Sequence, residues 1–280
     1  MKSIPLPKIS VQTIATACSQ SIADVSLSQR LAGVIPALVK AEADYVTSGK
    51  AGTLYNIKKS VAISGVVSVS EMSRVYKGTF SRKGSIVRST YYDYLKLQSP
   101  HGICPSCSQR VVSTLDHYLP KSKHPLYSIT PANLVPSCSD CNKTKSSKQA
   151  KSADQQILHP YFDDVEGEIW LKAQVVTGSP PGLVFFADPP ANWSSVKAGR
   201  VRRHFSELQL AELYVANGGR LISDIGHRLN KLFAEAGGDA VKNHLEEEAI
   251  SRLKKAKNSW QIAAYLALSQ SAYFCSYRHR

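Results

Sequence analysis

Acidic side chains are scarce in the first half of this sequence. Residues 1–100 hold 5 acidic against 13 basic side chains, and residues 101–151 hold 2 against 7. Residues 152–280 nearly balance, at 14 against 15, so almost all of the formal net charge of +14 lies before residue 152. Long apolar runs are missing as well. No stretch approaches the ~18 consecutive apolar residues of a membrane span. The opening MKSIPLPKISVQTIATACSQ breaks its apolar content with lysines, prolines and polar residues, unlike the centre of a secretory signal. A basic amphipathic helix with a Trp/Phe/Leu face, the usual device for lying on an anionic bilayer, is also lacking. A membrane partner is thereby set aside and a cytoplasmic location is expected. Six cysteines in a long chain of expected intracellular location speak against a disulfide framework. There is no internal repeat, no low-complexity tract, and no helix-turn-helix or finger module that would read bases.

What is present is a chain with 43% hydrophobic residues, ample for a packed core. Its one-sided positive field suits a phosphate backbone, because each neutralised phosphate releases condensed counterions. Nucleic acid is the expected partner. Helical periodicity runs from about Val11 to Val46, with Pro36 placed to kink or divide the segment. Two further helical stretches are VSVSEMSRVYKGTF and STYYDYLKLQ, in which Tyr91, Tyr92 and Tyr94 read as core rather than as a stacking platform. EIWLKAQVV and LVFFAD read as paired strands across the turn TGSPPG. The remainder reads as helices punctuated by Gly218/Gly219 and Gly237/Gly238. Val201, Phe205, Leu208 and Val215 fall along one face, and Leu221, Ile225, Leu229 and Leu232 along another.

Four of the six cysteines form two C-x-x-C pairs, Cys104/Cys107 and Cys138/Cys141. Zinc favours four thiolates in a tetrahedron, and a two-residue spacer lets each pair grip from one tight knuckle. Such a site is closed, so its zinc is structural, and its binding energy becomes folding energy for residues 104–141. Cys18 and Cys275 lie outside the pattern and read as buried small hydrophobes.

Between the knuckles stands T-L-D-H-Y-L-P-K-S, with Asp116 beside His117, followed by Asn133 in PANLVPSCSDCNKTK and by Asn142 and Lys145. Over about Cys104–Lys145 these residues resemble the HNH endonucleases of the His-Me finger, or ββα-metal, class. The D-H, the N-L, the C-x-x-C-N and the trailing lysine occur in that family's order, with Asn142 in place of the third histidine, an H-N-N variant. The resemblance implies an α+β, mainly helical fold: a small ββα-metal core with zinc knuckles, flanked by N- and C-terminal helical segments. The corresponding divisions are 1–100, 101–151 and 152–280.

The chemistry expected of these residues is phosphodiester hydrolysis. An imidazole of ordinary pKa near 6.5 is largely unprotonated at neutral pH, which makes His117 the candidate general base. Asp116 and Asn142 offer hard oxygens suited to magnesium or manganese, an ion that would act as Lewis acid and template. Neighbouring strand residues face opposite ways, so Asp116 and His117 would address metal and water from different sides. Ser139 or Asp140 is placed to cap the helix bearing Asn142. By the resemblance, Asn133 orients the histidine loop. Lys145, Lys121 and Lys143 are the candidate nucleic-acid contacts, with Lys123 and Lys148 on the same solvated positive face, and His124 and His159 read as structural. The longer elements G-x-C-P-x-C, L-D-H-Y-L-P-K and HPYFD are similar, more loosely, to the HNH subunit of Septu-like and retron-associated anti-phage systems, which implies an ATPase partner. DNA is the favoured substrate; an RNA nuclease of the same fold and a non-catalytic zinc module remain open at this point.

Overall fold

The structure, a computed structural model, describes all residues except 146, 148–149 and 278–280. The chain is α+β and mainly helical, with three small two-stranded antiparallel sheets among the described residues. It divides into two compact units, Met1–Asp164 and Val165–Arg280. Segments 1–100 and 101–151, set apart in the sequence by their charge, therefore fall in one unit, together with residues 152–164.

The first unit begins with three helices. α1 (Val11–Ser21) is capped by Ser10, whose hydroxyl accepts from the Thr13 N–H, and it buries Val11, Ile14, Ala15 and Cys18 at the i, i+3, i+4, i+7 spacing of one helical face. α2 (Val25–Gly33) is capped by Asp24 in the same way, accepting from the Leu27 N–H. α3 (Ile35–Lys50) carries Pro36 in its first turn, where a missing N–H costs nothing. The helical segment is thus divided just before Pro36, and a second break follows α1.

A two-residue pair of strands comes next, β1 (Ala62–Ile63) with β2 (Val67–Ser68), leading directly into α4 (Val69–Val75). α4 passes into a π-helical turn, Tyr76–Phe80, and a second such turn, Arg88–Tyr92, precedes the short α5 (Asp93–Lys96). Of the three tyrosines expected in the core, Tyr92 is buried and Tyr91 packs against the core, but Tyr94 is exposed.

The strands β3 (Thr114–His117) and β4 (Leu134–Ser137) pair antiparallel, with Asp116 opposite Val135 and His117 opposite Leu134. α6 (Ser139–Thr144) follows at once, completing a ββα unit. This small element is held by the N-terminal helices rather than beside them. Leu115, Ile129 and Leu134 share one core with Ile14, Leu31, Met72 and Phe80, while Tyr118, Leu119, Tyr127 and Val135 share another with Ala41, Tyr45 and Tyr161.

In the second unit β5 (Leu171–Val176) pairs with β6 (Gly182–Ala187), as the alternating pattern suggested. α7 (Ser195–Glu207), α8 (Leu210–Leu253), α9 (Trp260–Ser269) and α10 (Ala272–Cys275) complete it. α8 breaks only at Ala236 and Gly237, where φ reaches +74° at the glycine; Gly218 and Gly219 do not interrupt it. Gly218 serves close approach instead, since a Cβ there would lie 3.2 Å from both Leu183 and Phe185 of β6. The buried face of α8 accordingly runs through Tyr214, Gly218, Ile222, Gly226 and Leu229, and Val215 is exposed. Cys18 and Cys275 are both buried and unpaired by disulfide, and burial pushes the Cys18 thiol up to about 12. Among the described residues no helix is long and apolar enough to cross a membrane.

Candidate active site

Four buried sulfurs mark the base of the ββα unit. The Sγ atoms of Cys104, Cys107, Cys138 and Cys141 all lie within 4.8 Å of one another, and Cys107 and Cys138 are 4.0 Å apart. A tetrahedron with zinc–sulfur bonds of ~2.3 Å has its sulfurs roughly 3.8 Å apart, so the donor set fits zinc as it stands. Backbone N–H groups already point at two sulfurs: Arg110 donates to Cys107 at 3.5 Å and Cys141 to Cys138 at 3.3 Å. The Cys104 thiol is held well below its ordinary value by hydrogen bonds from the other three, and Cys107 and Cys141 are pushed up, chiefly by Cys104. Four sulfur donors gathered this closely suit a shared dication, which takes the place of the thiol protons. Cys138 is also the N-cap of α6, its sulfur taking the place expected of Ser139 or Asp140. One atom thus belongs to the metal cage and to the helix that carries Asn142.

β3 alternates in burial. Thr114 and Asp116 lie half-buried on one face; Leu115 and His117 are buried on the other. α6 packs on the first face. There the Asn142 amide donates to the Thr114 hydroxyl at 3.4 Å, and Lys145, just past the helix end, donates to Asp116 Oδ2 at 2.6 Å and to the His117 carbonyl. On the second face the His117 ring packs 4.6 Å from the Tyr76 ring, centroid to centroid. Its Nε2 lies 2.8 Å from the Ser128 carbonyl. A carbonyl only accepts, so Nε2 carries the proton and Nδ1 holds the lone pair. Burial, reinforced by the nearby charges of Lys121 and Lys145, lowers the His117 imidazole to about 3, so at neutral pH the ring is an uncharged base.

Asp116, His117, Asn142, Lys145 and Lys121 line one open cleft of about 940 Å³. Asn133 does not. It is fully buried, and its four hydrogen bonds tie down the loop after β3: Oδ1 accepts from the Leu119 N–H at 2.7 Å and the Tyr45 hydroxyl at 2.9 Å, and Nδ2 donates to the Leu119 and Tyr127 carbonyls at 3.0 Å each. Tyr45 in turn meets His159 Nε2 at 3.2 Å, while His159 Nδ1 accepts from the Tyr161 N–H. His159 and His124 are buried and outside the cleft lining. Lys143 is exposed on α6 and outside the lining, Lys123 donates to the Ser147 carbonyl at 2.7 Å, and Lys148 lies outside the described residues.

The rest of the cleft comes from residues that sequence reasoning passed over. Ser70 and Ser73 of α4 and Tyr76 and Lys77 of the π-turn line it, and Tyr45 and His159 stand behind Asn133. In the sequence RVYKGTF reads only as the end of a helix. Nothing in its spacing relates it to a D-H pair forty residues on.

The HNH endonuclease family description matches residues 104–148. Protein ea31 of Escherichia phage lambda is 27% identical over 295 residues, an alignment that spans 98% of this chain and 99% of that protein. No solved structure matches. The family match implies a nuclease, one that acts on nucleic acid and uses divalent metal.

Proposed function

We propose that the chain is a zinc-braced HNH endonuclease that hydrolyses phosphodiester bonds of DNA with a second, magnesium-class ion in the cleft. The observation that carries this reading is the gathering of Asp116, His117, Asn142 and Lys145 around one cleft, from strand and helix, within the matched segment. Asp116 and Asn142 are the residues to hold the ion. A bound magnesium or manganese ion supplies Lewis-acid charge at the scissile phosphate and at the departing oxygen. The donors fit: a carboxylate oxygen and a neutral amide oxygen are hard ligands, and the Asp116 carboxylate already attracts a cation, the Lys145 ammonium.

His117 takes the proton of the attacking water on Nδ1. Its Nε2–H, held by the Ser128 carbonyl, fixes that tautomer, and burial keeps the ring uncharged across the neutral range, so the Nδ1 lone pair is free of a proton. Lys145 exchanges Asp116 for a phosphate oxygen as substrate and ion enter, so the ammonium is never left unpaired. Asn133 keeps the loop 118–127 in place behind the histidine. Neither an anti-phage setting nor an ATPase partner is needed for this chemistry, and the phage protein that resembles the chain argues for neither.

The test incubates purified protein and His117→Ala, each checked for bound zinc, with plasmid DNA and with total tRNA, with magnesium and with chelator. Magnesium-dependent loss of the plasmid, slowed at least about 100-fold by the substitution, is expected. Loss of tRNA alone would make this an RNA nuclease. Loss of neither by zinc-loaded protein would leave a binding module and end the nuclease reading.

A further inference from the structure

The charged residues of the cleft lining are Lys77, Asp116, Lys121 and Lys145, besides the neutral His117. Lys145 is paired with Asp116 at 2.6 Å. Neither Lys77 nor Lys121 forms an ion pair with a described residue. Glu71, the acid of α4, is turned to Arg30 at 2.6 Å and to the Ser68 backbone at 2.9 Å and does not line the cleft. Asp116 acts on Lys121 electrostatically but is ion-paired to Lys145, so two ammonium groups share the cleft with no carboxylate of a described residue paired to them. They are close enough that the charge of Lys77, after burial, helps to lower the Lys121 ammonium.

The placement is built by a rare backbone form. The π-turn Tyr76–Phe80 interrupts the helical run from α4, a device that recurs at functional sites and is uncommon elsewhere. It sets the buried Tyr76 ring 4.6 Å from the His117 ring and 4.9 Å below the Lys121 ammonium. Lys77, the next residue, is exposed and reaches the cleft, and one turn earlier Ser73 presents a hydroxyl that bonds no described residue. The lining thus offers, next to the candidate base, two cations with no ion pair and a hydroxyl with no hydrogen bond to a described residue, and of these Lys77 and Ser73 stand outside the segment 104–148 that matches the HNH family.

We propose that Lys77, Lys121 and Ser73 form a phosphate-binding wall that grips the substrate strand's phosphodiester backbone beside the scissile bond, with Tyr76 as the spacer that fixes both lysines relative to His117. This rests on the nuclease reading and adds to it the part of the chain that holds the strand. A cation on a phosphate gives no base discrimination, so the wall contributes affinity and register without sequence preference.

The test measures binding of a fluorescein-labelled DNA duplex as a function of salt, in His117→Ala protein to prevent turnover. The Lys77→Ala/Lys121→Ala pair should flatten the slope of log affinity against log salt by about 2, one for each phosphate that is no longer neutralised. Lys77→Arg/Lys121→Arg should restore it. Lys255→Ala, a lysine of the second unit, serves as the control that leaves the slope alone. A double variant with unchanged zinc content and the parent's affinity and slope would overturn this inference while leaving the nuclease reading intact. A parent that binds no nucleic acid would overturn both.

Discussion

Asn133 shows how a residue outside the cleft can govern it. Its side chain makes four hydrogen bonds in a fully buried setting, and two residues complete the arrangement from behind: His159 Nε2 donates to the Tyr45 oxygen, and the Tyr45 hydroxyl donates to Asn133 Oδ1. Removing the Tyr45 hydroxyl leaves the His159 N–H without its acceptor at no gain in packing, a cost of about 1–3 kcal/mol. Tyr45→Phe should therefore lower the melting temperature and also reduce kcat roughly 10-fold, because the loop bearing on His117 loosens, and KM should rise with it, because Lys121 lies on the same loop. Phe162→Leu is the comparison, since Phe162 packs on the same rings without a hydrogen bond to either. It should lower stability without lowering kcat; equal losses of kcat in the two variants would reduce Tyr45 to a packing residue. That Asp116, His117, Asn142 and Lys145 meet at one cleft was legible in the sequence, because with Asn133 they fall within 30 residues in a recognisable order. Tyr45 was not. It lies 88 residues before Asn133 on a helix whose spacing announces only an apolar face.

At the scale of elements, α4 is the piece whose stability the cleft depends on most directly. Seven residues are too few for a helix to persist by propensity, so its ends matter. Ser68 and Glu71 form a capping box, and the Glu71 carboxylate accepts from the Ser68 N–H at 2.9 Å and from Arg30 of α2 at 2.6 Å. These partners, Arg30 first, hold the Glu71 carboxyl at about 2, below its ordinary 4.5. A carboxyl depressed by folding contributes stability that is complete above 4.5 and is lost as pH falls through 2. Glu71→Gln should thus melt earlier than the parent at pH 7, and the gap should narrow as pH is lowered from 5 toward 3. A gap independent of pH would mean that the charge of Glu71 contributes nothing. The S-x-x-E signature of this helix and the alternation of β5 and β6 are legible in the sequence, because capping and period-2 burial are local rules. The π-turns are not. Their form follows from the packing of Tyr76 and Phe80 against distant residues, and the same letters would otherwise continue an α-helix.

For the molecule as a whole, the unit Met1–Asp164 carries the zinc cage, the cleft and most of the positive charge. Sequence composition located that charge, and within the unit helices α1 to α4 share one core with the strands of the ββα element. The first knuckle also holds the start of the chain, since the Lys2 N–H donates to the Pro105 carbonyl at 2.8 Å; the Ile4 N–H donates to the Pro160 carbonyl at 2.9 Å. Losing the metal should therefore do more than open a loop. Four buried sulfurs no longer joined by a cation release the two knuckles from each other, and Cys138, the N-cap residue of α6, loses the tie that holds that helix and Asn142 beside β3. Structural zinc binds with about 10–16 kcal/mol, as much as the whole stability of an ordinary domain. One zinc per chain is expected by metal analysis. Stripping it with chelator, or Cys138→Ser, should lower the melting temperature seen in the far-ultraviolet and abolish cleavage even when magnesium is restored. Tryptophan emission is the wrong probe for this loss, because Trp170, Trp193 and Trp260 all belong to Val165–Arg280. Protein fully stripped of zinc that melts and cleaves as before would show that the four cysteines pack as ordinary core residues and that the ββα element stands without its brace.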